Sequence, residues 1–239
     1  MENKHWQKLF FQFGVFGTLQ FLVLTILAML IYPGGTIHHP EYEAYDFLYN
    51  YFSDLGRTFT FDGSTNWLSH IIFKATLTIS GVCLILFFVA LPTLFKSNVT
   101  KILILIASFF GIIAGVCYIG IANVPWNLDL RLHHSWVYKG FISFLIMVLF
   151  YSAAILMEKS YPNRYAKAFG IFAIILFIQI VIMLFGPRAY RSNTGLLIQA
   201  VAQKVLVYSE ILVMLFQAYG ALAVIKLQSN QQNNIENDA

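Results

Sequence analysis

Charge is what this chain has least of. Only 11% of its 239 residues are Asp, Glu, Lys or Arg, against roughly 25% in a soluble domain. That is too little polar surface to wrap a water-soluble globule of this length. Cysteine is almost absent: Cys83 and Cys117 are the two present, which excludes a disulfide scaffold. Missing too are the H-E-x-x-H and H-x-x-x-H spacings of metal sites and the G-x-S-x-G turn of serine hydrolases. In their place the chain is 59% hydrophobic and 17% aromatic. A soluble enzyme, a nucleic-acid binder and a disordered scaffold are thereby excluded.

The apolar residues fall in blocks of about 20, the length that crosses ~30 Å of hydrocarbon as a helix. Six such blocks run over 9–32, 67–91, 101–122, 135–157, 165–185 and 195–227. They do not alternate as barrel strands would. The predicted fold is therefore all-α: a six-helix membrane bundle filling residues 1–227, with a polar tail over 228–239 that should fray. Lys4 and Lys8 precede the first block as in a signal peptide, but its length and the lack of a small-residue cleavage site predict a retained helix. The last block exceeds what a bilayer needs, so it tilts or extends beyond it.

Six spans place both termini on one side. That face carries eight Lys and Arg against four acids, while the opposite face carries seven against seven. The whole net charge of +4 sits with the termini, which the positive-inside rule makes cytoplasmic. The long outer loop, 33–66, holds Tyr42, Tyr45, Phe47, Tyr49, Tyr51 and Phe52. Aromatics settle at membrane interfaces, so a short interfacial helix is expected over 41–51, ended by a Ser53-Asp54-Leu55-Gly56 turn. Cys83 and Cys117 count to depths roughly 16 Å apart at ~1.5 Å per residue, too far to bridge. Asn98-Val99-Thr100 has the form of a glycosylation acceptor but lies on the cytoplasmic side. Ser108, Gly111 and Gly115 give the third span a small-residue face for close packing.

Polar side chains inside spans are costly and tend to share a cavity or each other's company. In the second span Asn66, His70, Lys74 and Thr78 recur every four residues, one helical stripe. The fourth repeats this with Arg131, Ser135, Lys139 and Ser143, and the sixth with Gln199, Gln203, Glu210 and Gln217, Lys204 lying beside Gln203. Three lysines at similar depth on three spans predict a water-accessible pocket between spans two, four and six. Arg57, Arg131, Arg188 and Arg191 would rim it, and the aromatic loop would cover it.

Three readings of that pocket stay open. Lys and Arg with amide donors suit phosphate or carboxylate, so the leading expectation is binding or handling of an anionic lipid or similar amphiphile. Lys74, Lys139, Lys204, Arg188 and Arg191 would supply charge, and His70, Gln199, Gln203 and Glu210 polarity. A second reading is a haem- or zinc-dependent enzyme using His70 and His133. His133 and His134 point about 100° apart, so one of them at most enters a shared site. A third is a non-catalytic organiser in which equal numbers of outer-side cations and acids form an internal ion-pair network. No cofactor, catalytic residue or nucleic-acid partner is assigned from the residues, and oligomeric state is not legible in them.

Ser53-Asp54-Leu55-Gly56 directly before the second span, Ala122-Asn123 closing the third and His133 opening the fourth resemble a known group. This is the uncharacterised prokaryotic family of six-span membrane proteins with an S-D-L-G signature, together with its eukaryotic relatives, the damage-regulated autophagy modulator (DRAM) group. The latter typically reads S-D-T-G, so Leu55 favours the prokaryotic branch and a prokaryotic cell membrane. The likeness covers all six helices through short motifs. It implies that Asp54, Asn123 and His133 belong to the outer polar site, and the lipid-related roles of some relatives favour a lipid ligand. The plain alternative for Ser53, Asp54, Gly56 and Arg57 is a turn in which Asp54 caps the second span or pairs with Arg57.

Overall fold

A computed structural model describes residues 5–237, with side chains through Asn230. Glu2, Lys4 and Asp238 of the charge count, and the side chain of Glu236, lie outside the described residues. The helices are α1 (His5–Ile31), α2 (Trp67–Ala90), α3 (Asn98–Asn123), α4 (Leu130–Met157), α5 (Arg164–Phe185) and α6 (Asn193–Asn237). All six are long and apolar enough to cross a membrane, and the chain is an integral multi-pass membrane protein. Its only β pairing among the described residues is an isolated bridge between Phe59 and Thr65.

The helices bracket the apolar blocks and overrun them where a polar residue caps the start. The Ser97 hydroxyl accepts from the Thr100 N–H at 3.4 Å and the Asp129 carboxylate from the Leu132 N–H at 2.9 Å. Caps of this kind satisfy amides that the first turn leaves unpaired, so α4 starts at Leu130, above the apolar run. Thr100 turns its hydroxyl to the Glu158 carboxylate at 3.0 Å, so Asn98-Val99-Thr100 is the first turn of α3, with Thr100 buried and Asn98 and Val99 exposed. At the far end α6 continues to Asn237 where fraying was expected, because no Gly or Pro follows Gly220 to stop it.

Each helix packs on the one before and the one after, and α6 closes on α1. The result is a ring of six helices in chain order. The α2 and α3 backbones approach closely. A Cβ on Gly81 would lie 2.6 Å from the Gly115 carbonyl oxygen, and Gly111 sits against the Phe88 ring. The small face expected on the third span is thus in use. Because Gly81 meets Gly115, Cys83 and Cys117 differ in depth by only about four residues, ~6 Å. The ~16 Å expected above assumed that helix ends lie at equal heights. Both thiols are free nonetheless, since Cys83 faces Gly17 of α1 and Cys117 faces Gly140 of α4.

At the end of the ring that holds the termini, an aromatic core fills the lumen. Phe11, Phe87, Phe88, Phe95, Tyr151, Tyr161 and Phe169 are buried there, with edge-to-face contacts such as Tyr151–Phe169 at 5.0 Å. At the opposite end the α1–α2 loop folds into the mouth, packing Phe52 and Leu55 on Tyr32, Phe73 and Leu77. The expected helix over 41–51 does not form. The Asp46 carboxylate accepts from the Leu48 and Tyr49 amides at 2.8 and 3.1 Å, a local turn that competes with helix. The loop's one helical turn among the described residues is the 3₁₀ segment Phe52–Gly56.

Candidate functional site

Ser53-Asp54-Leu55-Gly56 lies within that 3₁₀ turn and forms the heart of a plug. Asp54 is 1% exposed. One carboxylate oxygen accepts from the Asn50 side-chain amide at 3.0 Å and the Tyr51 N–H at 2.8 Å. The other accepts from the Trp126 indole N–H at 3.0 Å. Burial pushes the Asp54 carboxyl above the usual carboxylate range, although these donors and nearby Arg57 pull the other way. No ion pair joins it to Arg57. The guanidinium is instead sandwiched over the Phe61 and Trp126 rings at 3.9 and 4.3 Å and donates through Nε to the Phe59 carbonyl at 2.9 Å. Asp54 therefore caps its own turn rather than α2.

The plug is tied to α2 through its carbonyls. Leu55 O takes the Asn66 amide and the Ser69 hydroxyl, both at 3.1 Å, and Gly56 O meets a ring nitrogen of His70 at 2.8 Å. Gly56 has no room for a side chain, since a Cβ would stand 2.6 Å from the Phe73 ring. The plug is tied to α6 by two consecutive residues. Gln203 Oε1 accepts from the Phe52 N–H at 2.9 Å, and the Lys204 ammonium donates to the Asn50 carbonyl. Lys204 is 3% exposed, with the rings of Phe47, Tyr45 and Phe52 at 5.3, 5.5 and 5.9 Å.

Between plug and aromatic core the lumen holds a cavity of about 120 Å³, close to the ~150 Å³ that admits one benzene-sized molecule. Its walls are mostly apolar: Phe21, Phe73, Leu77, Phe87, Val137, Phe141, Ile211 and Met214 among them. Thr18, Ser53, Ser80, Tyr118, His133, Gln203 and Glu210 supply the polar lining. The Tyr118 hydroxyl donates to one oxygen of Glu210. The His133 ring is held by the Val124 carbonyl at 2.7 Å. The cavity is lined by α1, α2, α3, α4, α6 and the plug, and α5 adds nothing to it.

Of the site residues expected from sequence, Ser53, His133, Gln203 and Glu210 are brought together in this cavity. Lys74, Lys139, Arg188, Arg191 and Asn123 are exposed side chains outside it. The Lys139 ammonium rests 5.5 Å from the Trp136 ring, and Asn123 bonds back to the Ile119 carbonyl at 2.8 Å. Gln199 holds the end of α5 through the Ile182 and Pro187 carbonyls at 2.8 and 3.2 Å. The reason is helical phase. Phe73, Leu77, Ser80 and Leu84 of α2 face the cavity, which turns the His70–Lys74 stripe about 100° away. On α4, His133, Val137 and Phe141 face it, leaving Lys139 on nearly the opposite side. Both lysines sit within reach of the headgroups, where long side chains snorkel.

The other two readings of the polar stripes also meet the geometry. Among the described residues the ion pair found within 4.0 Å is His39–Glu41, on the loop, so the expected internal network of cations and acids does not form. His70 and His133 each bond a backbone carbonyl through Nδ1, and of the two His133 lines the cavity while His70 does not. No three His, Cys, Asp or Glu side chains converge to hold a metal among the described residues. Sequence reasoning passed over Thr18, Ser80 and Tyr118. Tyr118 had a signal, standing on the face of α3 that continues Gly111 and Gly115.

Residues 16–219 match the family model DUF998, whose description is a protein of unknown function. The chain belongs to that family. No curated protein and no solved structure matches it.

Proposed function

We propose that this protein binds a small amphiphile, or the head of a membrane lipid, in the cavity beneath its loop plug. The carrying observation is the cavity itself, where a few polar groups converge on apolar walls inside a closed helix ring, the usual form of a small-molecule site. Charge balance supports a topology with both termini in the cytoplasm and the plug facing outward, and the resemblance carried by Leu55 favours a prokaryotic cell membrane. The resemblance of residues 53–56, Asn123 and His133 to the DRAM-related group fits a lipid ligand by analogy. An anionic head draws the least support, because no Lys or Arg lines the cavity and Lys204 is engaged with Asn50.

Native mass spectrometry of the protein, extracted gently from its own membrane, tests this reading. A discrete adduct is expected on the wild type. Val137→Phe, which fills the cavity from α4, should remove it while leaving the melting temperature unchanged or raised. A bare wild-type polypeptide, or an adduct retained by Val137→Phe, refutes the proposal.

A further inference from the structure

Glu210 is the one acidic side chain lining the cavity. One of its oxygens takes the Tyr118 hydroxyl proton as a hydrogen bond. No described residue bonds the other oxygen, and no described cation comes within 4.0 Å of the carboxylate. Aromatic side chains are prominent in the walls, with Phe21, Phe73, Phe141 and Tyr118 all lining the same space. Of the other polar groups, the Thr18 and Ser80 hydroxyls spend their protons on the Gly14 and Gly17 carbonyls at 2.8 and 3.2 Å and so present acceptors to the cavity. An open carboxylate oxygen beside hydroxyl acceptors and aromatic rings favours a cation that donates hydrogen bonds.

Resting on the amphiphile reading above, we infer that the cavity selects a primary amine, whose ammonium pairs with the free oxygen of Glu210 while its carbons lie against Leu77, Phe141 and Ile211. At about 120 Å³ the space suits an ammonium and a short run of methylenes. Carboxylates and phosphates are rejected, since they would bring like charge to Glu210 with no cation lining the cavity to offset it. The amine is either the head of a membrane amphiphile or a soluble alkylamine, and both present the same group to the site.

The test uses the full chain in lipid nanodiscs and three matched probes, hexylamine, hexan-1-ol and hexanoate, followed by calorimetry. Hexylamine is expected to bind at least tenfold more tightly than hexan-1-ol, with no binding of hexanoate. Glu210→Gln keeps an acceptor for Tyr118 and should erase that tenfold preference of amine over alcohol. Equal wild-type affinity for amine and alcohol, or preference for hexanoate, overturns the amine assignment and leaves the cavity as a ligand site. Failure of all three probes to bind overturns both. The wild-type comparison decides the matter even if Glu210→Gln does not fold. Competition by octadecylamine carried in the bilayer assigns the amine to a lipid, whereas hexylamine binding without that competition assigns it to a soluble ligand.

Discussion

Replacing Asp54 by Asn changes one atom and puts the plug to a direct test. Two donors converge on one carboxylate oxygen, the Asn50 amide at 3.0 Å and the Tyr51 N–H at 2.8 Å, while the Trp126 indole N–H alone meets the other at 3.0 Å. In Asp54→Asn the amide oxygen keeps two bonds by taking the first position. The new NH₂ then faces the Trp126 N–H, donor against donor, in a fully buried site. A buried donor left without an acceptor costs about 1–3 kcal/mol. Relief of a buried charge offsets part of this, since burial already holds the Asp54 carboxyl above its ordinary range. A net loss of about 1–2 kcal/mol follows, equivalent to a five- to thirtyfold change in a local opening constant.

Hydrogen exchange reads that opening. The amides of Tyr51, Asp54 and Arg57 all bond within the turn and should exchange five- to thirtyfold faster, while amides of α3 and α5 keep their wild-type rates. Trp126→Phe removes the opposing donor. In that background Asp54→Asn should cost almost nothing more, giving a coupling of about 1–2 kcal/mol in the double-mutant cycle. The cycle cancels the stacking of Trp126 on Arg57, which either single comparison would mix in. Unchanged exchange in Asp54→Asn, or strictly additive effects of the two substitutions, would refute the assignment of this carboxylate as the pin of the plug.

Arg57→Lys keeps the charge but loses the planar stack between Phe61 and Trp126. It should weaken the plug by about 1–2 kcal/mol, seen as faster loop proteolysis with no change in total helix by circular dichroism. Gly81→Ala places a methyl 2.6 Å from the Gly115 carbonyl and should destabilise by about 1–3 kcal/mol. Gly170→Ala has nothing within 4 Å of the added carbon and should gain up to about 1 kcal/mol, so thermal unfolding in detergent should move in opposite directions for the two. Burial acts most strongly on Glu158, pushing its carboxyl up, but bonds from the Lys96 amide and the Ser160 and Thr100 hydroxyls together bring it below 4.5. Its stabilising contribution is therefore complete above the ordinary glutamate value and is lost as pH falls through the lower native one. Glu158→Gln should lower the melting temperature at neutral pH and flatten its fall on the acid side, and a slope matching wild type would contradict the bonding described.

The spans were legible because hydrocarbon imposes a length and a composition that a single sequence displays. The α6 stripe was legible for a related reason. Gln203 and Glu210, seven residues apart, lie deep enough that neither can reach water along its own side chain, so they must face something polar inside the ring, and they do. Lys74 and Lys139 carried no such compulsion. A lysine in the outer part of a helix can extend its long side chain toward the headgroups, and it does so from any face. Its presence reports depth and says nothing about direction.

The same distinction separates the two adjacent residues Gln203 and Lys204. Both grip the plug, one through an accepted and one through a donated bond, but the short amide lines the cavity while the long ammonium climbs past it to Asn50. Within a membrane bundle, then, a short polar side chain at mid-depth is the better pointer to a site, because it has no other means of satisfying itself. Tyr118 extends the argument. Its hydroxyl sits on the face of α3 whose glycines bring α2 close, and among the described residues the polar side chain it bonds is Glu210. Two helices on opposite arcs of the ring thus place polar atoms against each other inside it. In a purely structural bundle, apolar side chains would fill that position at lower cost, and the carboxyl persists with one oxygen still open to the cavity.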